Sequence, residues 1–173
     1  MEPTPVSIRL TKRDVALRQI EAAISLWVTG GDPVAIHTLT GAANRVVCDL
    51  LALNGESTTL FDVTGKTKPE ARDYWKSLRA AEDFMKHANE DPHAVMDFNV
   101  EATAIYLFDT ASGYLRLTQT HNHLLGTFLI RISLLYPWTL TDEGVSSLRK
   151  SGAVNDARLS NEEFFAKYLD SST

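Results

Sequence analysis

The sequence predicts an all-α domain: a bundle of five main helices with antiparallel neighbours, followed by a short C-terminal helix. Three observations predict it. Apolar residues recur at spacings of three and four in five separate stretches. Gly, Pro and Asn stop signals divide those stretches. Only one short run, Thr58 to Val63, has strand character, and so short a run without an obvious partner makes a poor sheet.

Residues 1–10 carry two prolines and are expected to form an extended arm. Thr11-Lys12-Arg13-Asp14 resembles a capping box with Asp in place of Glu, so a first helix starts there and runs to Val28. Leu17, Ile20, Ile24 and Trp27 share its apolar face. Gly30-Gly31 breaks it. Asp32 can cap a second helix, Pro33 suits its first position, and Asn54-Gly55 stops it after Leu53. The two helices form an antiparallel hairpin. Glu56 to Lys68 is a Thr- and Gly-containing loop. Pro69 opens a third helix to about Ala88, with Tyr74, Leu78, Ala81, Met85 and Ala88 inward and Arg72, Lys76, Arg79, Asp83 and Lys86 outward. Asn99 caps a fourth helix to about Leu117. A fifth covers Leu124 to Tyr136 and ends at Pro137. These helices make one bundle domain over residues 11–137. The C-terminal segment, 138–173, reads as polar until Ser160-Asn161-Glu162-Glu163, a capping box for a short helix packing on the same domain.

The second helix is the organising element. At about 1.5 Å per residue it is roughly 30 Å long, the width of a small domain. Ile36, Leu39, Ala43, Val46, Val47 and Leu50 form its apolar stripe. The other side carries His37, Gly41, Asn44 and Cys48 rather than a charged face, so the helix is expected to be buried on most sides. The fourth and fifth helices are similarly poor in charge. Burying three such helices in a small bundle leaves spare apolar surface, and the expected cover is a second copy in a homodimer.

Composition bounds the function. The 173 residues are 44% hydrophobic and 23% charged, ordinary for a soluble globular chain of one domain. A net charge of −5 argues against broad nucleic-acid binding. The single cysteine, Cys48, rules out an internal disulfide. The N-terminus shows no signal peptide and no run is long enough for a membrane span, so a cytoplasmic location without membrane association is expected. There is no G-x-S-x-G, P-loop, G-x-G-x-x-G or CxxC, and no cofactor is expected.

Two clusters stand out as candidate ligand-binding residues. Arg45, Asp49, Asp109 and Arg131 are charges within low-charge helices, read either as structural ion pairs between helices or across a dimer, or as the lining of a polar pocket. His37 and Asn44 lie with Gly41 and Cys48 on one face at spacings of four, three and four. They read either as close packing with satisfied polar groups, or as a general base or ligand contact near Asn44. Asp83 and His87, one turn apart, and Glu90-Asp91-Pro92-His93 have metal-ligand spacings, but Pro92 interrupts the helix and there is no second E-x-x-H. His121 and His123 lack a third ligand. No metal is expected.

Residues 80–92, AAEDFMKHANEDP, together with residues 30–39, GGDPVAIHTL, resemble a group of uncharacterised small bacterial helical proteins, a likeness that carries no activity. A second likeness is to the HEPN superfamily, whose motif is an Arg, four to six residues, then a His. That resemblance implies a helical, often dimeric bundle and metal-independent ribonuclease chemistry. Arg79 would steady the phosphate and His87 would act as general acid or base, with Lys86 beside them. Here seven residues separate Arg79 from His87, which turns the helix about 80° between them. The reading preferred from the sequence is a dimeric helical module that binds a small molecule or a protein partner. The alternative is a HEPN-like ribonuclease.

Overall fold

Thr11 sets the entry into the first helix, α1 (Lys12–Val28). Its backbone N–H donates to the Asp14 carboxylate at 2.8 Å, and the Asp14 N–H donates back to Thr11 Oγ1 at 3.1 Å. The computed structural model describes residues 7–56, 68–87, 89 and 91–170. The second helix, α2 (Pro33–Leu53), starts where Asp32 Oδ1 accepts from the Val34 N–H at 2.8 Å and ends at Asn54. Then come α3 (Lys68–Lys86), α4 (Val100–Thr118) and α5 (His123–Leu135). Asn99 Oδ1 caps α4, and Asn122 Oδ1 caps α5. Pro137 opens a 3₁₀ turn to Thr139 in place of a further helical turn. The last helix, α7 (Asn161–Asp170), begins behind the Ser160–Glu163 capping box. Among the described residues there is no strand; the run Thr58 to Val63 lies outside them.

One element departs from the sequence expectation. The stretch after Pro137 is not simply polar loop: it contains α6 (Asp142–Lys150). Thr141 Oγ1 accepts from the Gly144 N–H at 3.2 Å, acids occupy the first turn and Arg149 and Lys150 the last, and Gly152 follows with φ 78°. Caps and dipole-matched charges support this helix, whose Gly144, Val145 and Leu148 form one half-buried face while none of its residues is fully buried. With only Val145 and Leu148 as large apolar residues in nine positions, a search for apolar periodicity passes over it.

The core joins α1, α2, α4, α5 and α7. Ile20 and Ile24 of α1, Val47 and Leu51 of α2, Leu125, Phe128 and Ile132 of α5, and Phe164 of α7 are fully shielded from solvent. Each large apolar side chain so buried stabilises the fold by about 1.5–3 kcal/mol. α1 and α2 pack along their lengths as the hairpin. At the centre runs α4. Every residue from Thr103 to Ala111 is buried, and Gly113, Tyr114 and Leu117 follow. It touches α1, α2, α3 and α5.

α2 is buried or half-buried on most sides, as its missing charged face indicates. One expectation is corrected: Arg45 and Asp49 form a 3.4 Å ion pair in the open, with 73% and 62% of their side chains exposed. They are not charges trapped between helices. Within one chain α4 is surrounded by α1, α2, α3 and α5. The large apolar side chains left exposed, among them Leu53, Val95, Val100 and Trp138, include several at helix ends and in turns. Among the described residues no helix is long and apolar enough to cross a membrane.

Candidate ligand-binding cleft

The uncharged side of α2 faces α3 and α4 and forms a polar seam with them. Its four residues mark successive depths. His37 is in the bundle interior, with Nδ1 3.1 Å from Thr103 Oγ1 on α4 and Nε2 3.3 Å from the Leu78 carbonyl on α3. Gly41 lets Glu82 of α3 lie across the helix: a Cβ at that position would sit 2.9 Å from the Glu82 carboxyl carbon. Glu82 in turn pairs with Lys86. Asn44 Nδ2 donates to Thr110 Oγ1 at 3.1 Å, and Thr110 donates on to the Tyr106 carbonyl at 2.8 Å. Cys48 Sγ donates to Asn44 Oδ1 at 3.4 Å. A chain of hydrogen bonds thus runs from the thiol of α2 to the backbone of α4, so burial of these groups is compensated.

Above Asn44 and Cys48 the seam opens into a cleft of about 680 Å³. Asn44 and Cys48 form its α2 wall. The α3 wall carries Arg72, Lys76, Arg79 and Asp83, which recur at spacings of four, three and four and so share one stripe of the helix. Asp73, Trp75 and Ala80 complete that wall, the Trp75 ring lying edge-on to Tyr106 at 5.8 Å between centroids. These α3 charges are exposed, as the sequence indicates, but they look into a concavity rather than into open solvent.

Burial pushes the Cys48 thiol up to about 11, and the Asp109 carboxylate adds to this against the opposing Arg79 guanidinium. At neutral pH Cys48 is therefore a neutral donor rather than a thiolate nucleophile. The Tyr106 phenol is also raised, first by burial and then by Glu82. Asp109 itself is only 2% exposed, on α4 behind the cleft.

Of the residues singled out in the sequence, the structure brings His37, Asn44 and Asp109 into this one region and places Arg79 on the cleft wall. Arg45 lies outside it. Arg131 belongs to a different cluster. It is 4% exposed on α5 and is held by neutral acceptors: Nε donates to Asn161 Oδ1 at 2.9 Å, Nη1 to the Ala157 carbonyl at 3.2 Å and Nη2 to the Leu159 carbonyl at 2.6 Å. Its guanidinium lies 5.2 Å from the centre of the Phe164 ring. Lys86 is engaged by Glu82, and His87 is exposed beyond the end of α3. The set Arg79, Lys86 and His87 thus has only Arg79 on the cleft. Among the described residues no three His, Cys, Asp or Glu side chains gather as a metal site.

Sequence reasoning missed Thr103, Tyr106 and Thr110, which supply the α4 side of the seam. They stand at spacings of three and four within a charge-poor helix, and that polar stripe was the available signal. No family model matches the chain, and no curated protein or solved structure matches it.

Proposed function

We propose that the chain is a helical binding module whose cleft between α2 and α3 takes a small organic anion. The observation that carries this reading is the α3 wall: Arg72, Lys76 and Arg79 on one stripe, beside Trp75, inside a concavity of about 680 Å³. That volume lies within the range of about 300–1,000 Å³ usual for small-molecule sites. Arginine forks grip carboxylate or phosphate through paired N–H donors, lysine adds a mobile point charge, and an indole offers a flat apolar surface. Asp73 beside Arg72 and Asp83 beyond Arg79 also line the cleft, so a ligand's negative charge is favoured between them, toward Lys76 and Arg79. The protonated state of Cys48 supports binding rather than covalent turnover at the floor. A homodimer and a protein partner are compatible with this reading, but the cleft is built from one chain and needs neither.

The test is calorimetric titration with citrate, inorganic phosphate and AMP at low ionic strength. Binding of at least one is expected, with affinity falling about tenfold in Arg79→Met, the loss of one charge-assisted contact. Arg45→Met, a charge removed outside the cleft, is expected to leave that affinity alone. Absence of binding by all three at millimolar concentration, or equal losses in both variants, overturns the reading.

A further inference from the structure

The cleft is larger than a bare anion requires. Its volume of about 680 Å³ equals that of about 20 water molecules at about 30 Å³ each, so a phosphate held at Lys76 and Arg79 would leave most of it wet. The rest of the lining says what else the ligand carries. Trp75 supplies an aromatic surface on the α3 side. On the α2 side stands the Asn44 carboxamide, with the Cys48 thiol beside it.

Asn44 is 7% exposed, and its hydrogen bonds fix which way the amide faces. Thr110 commits its one hydroxyl proton to the Tyr106 carbonyl at 2.8 Å, so toward Asn44, 3.1 Å away, it accepts. The Asn44 atom beside Thr110 is therefore the amide nitrogen. The amide oxygen then meets the Cys48 thiol, which donates to it at 3.4 Å. A flipped amide would set its oxygen against a hydroxyl with no proton to give. A carboxamide has two N–H donors and two oxygen lone pairs. Thr110 takes one donor and Cys48 occupies one lone pair. Among the described residues, one of each remains. They belong to a side chain that lines the cleft and is anchored to the buried helix α4, not to the exposed stripe of α3. A polar group locked in this way recognises by position rather than by adapting to what arrives.

We propose that the ligand is a nucleotide, its base read by Asn44 and set against Trp75, and its phosphate held at Lys76 and Arg79; this rests on the cleft reading above and names its ligand class. Asparagine suits a base edge that offers a ring-nitrogen acceptor beside an exocyclic amine, as adenine does. The remaining Asn44 N–H donates to the ring nitrogen, and the remaining lone pair accepts from the amine. The indole gives the flat face of the base an apolar neighbour. Citrate, with neither ring nor amine, meets only the cationic stripe.

Calorimetric titration of the full chain with ribose 5-phosphate, AMP and purine riboside monophosphate tests this. The last lacks only the exocyclic amine of AMP. AMP is expected to bind at least about tenfold more tightly than ribose 5-phosphate, and about tenfold more tightly than the purine analogue, the effect of one hydrogen bond to a buried amide. In Asn44→Leu, which is similar in size and has no polar side-chain atom, AMP and the purine analogue are expected to bind alike. A merely structural Asn44 would weaken all three ligands together and leave their order intact. Equal binding of AMP and either comparison ligand by the parent, or a preference for AMP over the purine analogue that survives in Asn44→Leu, overturns the assignment. Should that variant fail to fold, the side-chain NH₂ signals of Asn44 in the nitrogen-labelled parent decide. Saturation with AMP is expected to move the proton not held by Thr110 downfield, well beyond any shift with ribose 5-phosphate; equal shifts sink the base site. If ribose 5-phosphate binds and AMP gains nothing, the anion cleft stands and the nucleotide falls. If no ligand binds, the cleft falls and the nucleotide with it.

Discussion

Two buried polar clusters occupy opposite parts of this bundle and are built on different terms. At Arg131, the guanidinium donates to two carbonyls and one side-chain amide of the segment around α7, and Phe164 covers its face. At the α2–α3–α4 seam, the helix-to-helix hydrogen bonds of His37 and Asn44 join uncharged partners one at a time, and cavities lie on both sides of α3. The first arrangement ties residues 157–161, the approach to α7, onto α5. The second leaves room. Burial of polar residues alone therefore does not separate a structural cluster from a functional one. What separates them here is whether the polar side chains themselves border a void: Asn44, Cys48 and His37 do, whereas Arg131 lines neither of the cavities that border α5.

The largest effect expected from breaking this comparison is at Arg131. Arg131→Ala strips the Ala157 and Leu159 carbonyls of their buried donor and removes the cover on Phe164. It should lower unfolding stability by about 3 kcal/mol in urea titration, with exchange in residues 68–86 rising only as much as elsewhere. A rise confined to α3 would show the two clusters to be coupled. Asn44→Ala is expected to cost less, about 2 kcal/mol, because it leaves Thr110 and Cys48 without their shared partner. Its signature should be selective, with α3 and the adjoining turn of α2 losing protection before α5. The smallest effect belongs to the exposed pair on α2. Arg45→Ala should change stability by less than about 0.5 kcal/mol, since an open ion pair one helical turn apart gains little over water. A larger loss would mean that α2 has a second buried face.

Much of the helical layout was legible because its signals are local. Thr11, Asp32 and Asn99 act on backbone N–H groups two or three residues away, and all three cap the helices they precede; Asn122 caps α5 in the same way, a signal the sequence reading passed over. α6 was missed for the converse reason. Its caps were equally local, but it is short and its apolar face is only Val145 and Leu148, both half-buried. At the site, the face His37–Gly41–Asn44–Cys48 could be read as unusual from spacing alone. Its partners could not. The same holds for Arg131, whose isolation among apolar residues called for neutralisation but did not say that carbonyls would provide it.

The sequence by itself determined where most helices begin and end, which face of α2 is polar, and that Arg131 and Asp109 would need shelter. Each of these follows from interactions within a few residues along the chain. The tertiary structure alone decided that Thr103 meets His37 and Thr110 meets Asn44, each across 66 positions of sequence, and that the charged stripe of α3 borders a cleft. Such contacts depend on how rigid helices cross, and periodicity within one helix carries no information about the crossing of two.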